Sequence, residues 1–192
     1  PSAVVNNLFT SNSQAGFLAK YPHFSNFIYT TPFNNGSAST NYTKLNAVAI
    51  DKDRSVYVTG FFVTSSASVS SNSVLISKFD SSGVVSYYIL IPGFSACNGR
   101  GITVDTTGKS FVTGSYGLSI DLDPSISAYN LYAPSVDGFI ASYDAVGNIS
   151  FGNTMGTYFD GGYIIPSKTR RDAVGNVYVV GTMKGSYNFD PF

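Results

Sequence analysis

The chain has 192 residues, eleven basic and eleven acidic side chains, a formal net charge of zero and one histidine. That length suits one compact domain or a short run of repeats, and a neutral chain without a Lys/Arg run gives a phosphate backbone nothing to follow, so nucleic acid is excluded as an expected partner. Charged residues are only 11% and aromatics 15%, with 19 glycines, a balance that favours Tyr- and Phe-rich strands and tight turns over helices.

In chain order, strand-like runs alternate with turns. Phe17-Leu18-Ala19-Lys20-Tyr21 leads into Pro22-His23-Phe24-Ser25, and Ala49-Ile50 leads into Asp51-Lys52-Asp53-Arg54 and then Val56 to Gly60. Leu75 to Phe79 precedes Asp80 to Gly83, and Thr103-Val104 precedes Asp105 to Gly108, followed by Phe111 to Gly114. Phe139 to Tyr143 precedes Asp144 to Gly147, and Asp172 to Gly175 precedes Tyr178 to Gly181. Asp at the first position of a type I turn accepts hydrogen bonds from the backbone ahead of it, and Gly at the fourth takes the positive φ that closes a hairpin. Each Asp-x-x-Gly therefore predicts a hairpin tip, and the first repeat keeps the tips while losing their glycines.

Strands opening at Phe17, Leu75 and Phe139 recur roughly every 60 residues, a period of the kind that builds solenoids and propellers. The predicted fold is all-β: three four-stranded antiparallel repeats over 17–74, 75–138 and 139–192, forming an incomplete ring or open array. Thr169-Arg170-Arg171 replaces the apolar pairs that precede the other turn aspartates, so that strand is expected at an edge or against a polar partner.

The two ends read as continuous. The stretch after the second repeat runs through Asp121-Leu122-Asp123-Pro124 to Asp137-Gly138-Phe139, whereas the third repeat closes on Asn188-Phe189-Asp190-Pro191-Phe192. Ser2, Ala3 and Leu8, ahead of Ala15-Gly16-Phe17, supply what should come next. Residues 1–16 are thus expected to complete a repeat with a neighbouring copy, through a junction of Ser2, Ala3, Leu8, Phe189, Asp190, Pro191 and Phe192. Either such units follow one another covalently in a longer array, or separate copies join head to tail into a ring or filament.

Chemistry is sparse. His23 has no second histidine to work with, no Gly-x-Ser-x-Gly elbow is present, and the chain contains no Glu to pair with its aspartates. No enzymatic activity and no cofactor are expected. Asp51/Asp53 and Asp121/Asp123 have a spacing that can ligate calcium, but lack the rest of a calcium loop. Tyr116, Tyr129, Tyr132 and Tyr158 are candidates either for stacking on sugars or for packing between sheets. Asn35, Asn41 and Asn148 stand in N-x-Ser/Thr triplets and are glycosylation candidates. Cys97, the only cysteine, excludes an internal disulfide and is expected half-buried, with an intermolecular disulfide as the alternative. No apolar stretch approaches the ~20 residues of a membrane span, and no basic leader is present, so any signal peptide is expected to have been removed already.

The units Ile50 to Gly60 (IDKDRSVYVTG), Val104 to Gly114 (VDTTGKSFVTG) and Arg171 to Gly181 (RDAVGNVYVVG), with Asp137 to Ile149 and the Asp123-Pro124 and Asp190-Pro191 elements, resemble the β-propeller repeats of secreted bacterial proteins known as SBBP repeats and their Phe-Asp-Pro relatives. The resemblance implies four-stranded blades around an axis in exported or surface-attached proteins, usually without enzymatic activity. Three repeats fall short of the roughly four to eight blades of a closed propeller. The expected function is an extracellular or cell-surface structural or adhesive protein whose copies associate head to tail. The alternative is a propeller-type lectin module that binds surface glycans.

Overall fold

A computed structural model of the chain describes residues 14–22, 28–33, 42–65, 70–123, 125–158 and 161–189. Their regular structure is entirely strand: β1 Gly16–Lys20, β2 Tyr29–Phe33, β3 Tyr42–Ile50, β4 Val56–Ser65, β5 Ser70–Phe79, β6 Val85–Val104, β7 Ser110–Asp121, β8 Asn130–Tyr143, β9 Ile149–Thr154, β10 Thr157–Tyr158, β11 Tyr163–Arg171, β12 Val177–Lys184 and β13 Tyr187–Asn188. All the pairings are antiparallel: β3 to β9 form one seven-stranded sheet in sequence order, and β1-β2, β11-β12 and β10-β13 form separate two-stranded sheets.

The long strand β6 divides its pairing. Val85 to Pro92 lie against β5, and Gly93 to Val104 lie against β7. The large sheet is thus two four-strand meanders joined through β6, one running β3-β4-β5-β6 and the other β6-β7-β8-β9. This differs from the expected sheet composition. Residues 17–74 are not one sheet, because β1-β2 stand apart while β3 and β4 pair onward with β5. The expected three complete four-stranded sheets are replaced by two meanders flanked by two hairpins.

The predicted tips form as expected on all five turn aspartates. In the first four, the backbone N–H of the fourth residue donates to the carbonyl of the Asp, whose own N–H donates to the carbonyl four residues on; at Asp172 the Gly175 N–H donates instead to the side-chain Oδ1. The N–H of Asp172 follows the second pattern, to Asn176 O. The Asp Oδ1 accepts from backbone N–H groups inside its turn, as Asp105 does from Thr107 and Lys109 at 2.8 and 3.0 Å. Gly83, Gly108, Gly147 and Gly175 take φ values of 91, 84, 97 and 111°. Arg54 holds the same place in the first complete turn with φ 65°. Arg54→Gly should stabilise the protein by roughly 0.5–1 kcal/mol, the left-handed penalty less the extra unfolded-state freedom of glycine. A higher urea midpoint at unchanged slope is the expected reading.

The same turns predict an acid response. Ser82 and the Val84 N–H hold the Asp80 carboxyl below its ordinary value of 3.8. At Asp105, Asp144 and Asp172 burial pushes upward, but the turn hydrogen bonds outweigh it and the pKa is again lowered. Groups depressed in the folded state contribute stability above their unfolded pKa and lose it as pH falls through the folded value. The urea midpoint should therefore hold from neutrality to about pH 5 and fall progressively below about pH 4. Asp137 opposes this, since burial raises its carboxyl pKa.

A second recurrent feature lies one strand away. Pairing shifts register between Leu45 and Ala47, between Gly99 and Gly101, and between Pro166 and Lys168. The skipped residues, Asn46, Arg100 and Ser167, each stand five positions before a turn Asp. These bulges aim the Lys44, Asn98 and Ile165 carbonyls at Gly60, Gly114 and Gly181, where an added Cβ would collide with them. The glycine that ends each V-x-V-x-G run is therefore required by the bulge opposite it.

The core lies between layers, so strands are buried on both faces. Leu18 and Phe33 of the first hairpin pack on Val56, Val58, Leu75 and Phe79 of the first meander. The other face of that meander, with Tyr57, Val74, Ile76, Ile89 and Ile91, packs on Ile102, Val112, Phe139, Ala141 and Tyr143 of the second. Alternate residues of β4 thus belong to opposite layers, as the two-residue strand period requires.

Candidate functional site

Successive layers are held by contacts that repeat. The Lys20 ammonium donates to Ser81 O at 2.9 Å, and Lys78, at the equivalent position of the next repeat, donates to Ala145 O at 3.1 Å. Both acceptors sit in the next repeat's hairpin tip. The third equivalent is Ser142, whose buried Oγ finds no partner. Tyr57 sends its hydroxyl to within 3.2 Å of Gly108 O in the following layer. On the bulged strands, Asn46 Nδ2 donates to Asn98 Oδ1 and Gly99 O at 2.7 and 2.8 Å, and the Thr113 and Thr169 hydroxyls share a hydrogen bond. The Thr169 strand meets both sequence expectations: it pairs only with β12 among the described residues, and it presents a hydroxyl to a polar partner.

The end layers break this pattern. Phe17 is 66% exposed, whereas the equivalent Leu75 and Phe139 are 0% exposed. On β12, Tyr178 and Val180 are 58% and 62% exposed, against 0% for Tyr57, Thr59 and Thr113 in equivalent places. Tyr178 keeps the turn contact, with its hydroxyl 3.1 Å from Asp172 Oδ2. Among the described residues β1 pairs only with β2, and β12 only with β11. Among the described residues, each end therefore carries a strand with one unpaired edge and an exposed apolar side chain, which is costly unless covered. The candidate site is this pair of edges.

Of the residues expected at the junction, only Phe189 lies among the described residues. Phe189 lines a cleft with Met155, Ile164, Pro166, Val179 and Gly181 beside β12. Ser2, Ala3, Leu8, Asp190, Pro191 and Phe192 lie outside the described residues, as do Asn35, Asn41 and His23. Sequence reasoning placed the junction in the connecting segments and did not single out the exposed positions of β1 and β12, although Phe17 and Tyr178 stand in strings whose equivalents Phe139 and Tyr57 are strand cores.

Other candidates acquire local explanations. Asn148 is exposed and its amide donates to Asp144 Oδ2 at 3.1 Å, as Asn176 does to Asp172 Oδ2 at 2.7 Å. Asp51 caps its own turn through Asp53 and Ser55 N–H, while Asp53 pairs with Lys52. Asp121 accepts from the N–H groups of Asp123 and Tyr129. Among the described residues, no group of three His, Cys or Asp side chains could hold a metal ion. Tyr116 is fully buried, its ring 6.4 Å from that of Phe139, which removes it as a sugar platform. Tyr129 is tied to Gly152 O at 2.7 Å and Tyr132 is 72% exposed, while nothing is described of the Tyr158 side chain. Cys97 is buried rather than half-buried, and burial pushes its thiol pKa up to about 11. A protonated, inaccessible thiol is a poor partner for an intermolecular disulfide.

No family model matches the chain, and no curated protein is significantly similar to it.

Proposed function

We propose that the chain is a non-enzymatic structural or adhesive repeat protein of the extracellular space or cell surface, whose copies join head to tail into a ring or filament of β-propeller-like blades. One observation carries this reading: Leu75, Phe139, Tyr57, Thr59 and Thr113 are fully buried, whereas their equivalents Phe17, Tyr178 and Val180 at the two end layers are more than half exposed. A surface of that kind is the expected outer face of a repeat stack, where each layer relies on its neighbour for cover. The motif resemblance to SBBP-type repeats supports the blade architecture and the exported setting.

The reading predicts assembly of the purified chain. Light scattering should give a mass above the 20.4 kDa of one chain, and electron microscopy should display closed or linear arrays. A monodisperse monomer at every concentration would remove it. The lectin alternative draws on Tyr132, the most exposed of the described candidate tyrosines; glycan-array binding abolished by Tyr132→Ala would favour it.

A further inference from the structure

Resting on the head-to-tail reading, the geometry points to a defined junction: we infer that β1 of one copy pairs antiparallel with β12 of another. The register comes from the chain itself. In the first meander Gly60 stands opposite Leu75, Thr59 opposite Ile76 and Tyr57 opposite Lys78. In the second, Gly114 stands opposite Phe139, Thr113 opposite Ile140 and Phe111 opposite Ser142. Neither pairing shifts over this stretch. Carried to the ends, the rule sets Gly181 opposite Phe17, Val180 opposite Leu18, Val179 opposite Ala19 and Tyr178 opposite Lys20.

Each pair in this register has a working precedent within the chain. The Lys78 ammonium lies 5.2 Å from the Tyr57 ring centroid, so Lys20 is placed to cover the exposed ring of Tyr178 while keeping its bond to Ser81 O. The Phe139 ring packs directly on Gly114. Phe17 in the same relation to Gly181 enters the apolar cleft lined by Met155, Ile164, Pro166 and Val179. That cleft measures about 130 Å³, close to the ~150 Å³ apolar cavity that accommodates a benzene ring. A second open groove runs along the β1 edge between Phe17-Leu18 and Leu45-Val48. It is the course a strand takes in the next layer, where β4 passes over Gly99, with Thr59 and Val74 against it. One added strand therefore fills both vacancies, and main-chain hydrogen bonds along two free edges supply the rest of the affinity.

The occupant is a second copy of this chain: β11-β12 of one copy and β1-β2 of another together make one four-stranded antiparallel sheet of the kind the two meanders already form, and the contact is heterologous.

Paired cysteines test the register. Leu18→Cys with Val180→Cys in one chain should cross-link neighbouring copies on oxidation, giving a covalent species of twice the 20.4 kDa chain. Ala19→Cys with Val180→Cys, on opposite faces, should not. Phe17→Asp, at an exposed position, should yield a folded monomer whose melting temperature no longer rises with protein concentration. Assemblies that form without the Leu18–Val180 cross-link would overturn the register but leave head-to-tail association standing. A chain that stays monomeric and unlinked at high concentration would overturn both.

Discussion

Gly114→Val is expected to cost roughly 3 kcal/mol, the upper part of the over-packing range. The new Cβ would meet Asn98 O on one side and the Phe139 ring on the other. Neither can retreat: Asn98 sits beside a bulge fixed by the register of β6 on β7, and the Phe139 ring is fully buried against Tyr116. The carbonyl cannot turn away without giving up sheet pairing on the bulged strand. The expected measurement is a large fall in urea midpoint, with lost near-ultraviolet dichroism if the two meanders separate. A loss below about 1 kcal/mol would mean that the bulge is not held where the structure places it.

Tyr57→Ala and Tyr178→Ala form the second large prediction, because equivalent positions should behave oppositely. Tyr57 is fully buried, its hydroxyl 3.2 Å from both Asp51 Oδ2 and Gly108 O, and its ring beneath Lys78. Truncation removes a large core side chain and leaves a buried carbonyl unpaired, for a loss of roughly 3–5 kcal/mol in thermal or chemical unfolding. Tyr178 keeps only the Asp172 contact and faces water, so its truncation should cost under about 1 kcal/mol in the isolated chain. Its expected effect is on association, where it supplies the ring that Lys20 of a neighbouring copy covers.

These two positions also explain what the sequence could and could not disclose. The turns were legible because Asp51, Asp80, Asp105, Asp144 and Asp172 each need one acceptor in a fixed place and, in four cases, a glycine that accepts positive φ. Such chemistry is local. The phase of the repeat is not, since a string of strand, turn, strand repeats identically whether a sheet is taken to start at Phe17 or at Tyr42. Only pairing decides it, and β6 divides between two partners at Pro92-Gly93 without any break in strand character. The exposure of the end layers was not legible either, because Phe17 and Tyr178 are indistinguishable in type from the buried Phe139 and Tyr57. Tyr116 shows the converse, a tyrosine whose burial no pattern of aromatics announces.

The most direct measurement is amide hydrogen exchange on β1 and β12 as protein concentration rises, with β5 and β8 as internal references. If the two ends are halves of one sheet, the outward amides of Gly16–Lys20 and Val177–Lys184 should gain protection together, approaching that of β5 and β8. Exchange that stays fast at both edges at every concentration, while β5 and β8 remain protected, would contradict the account.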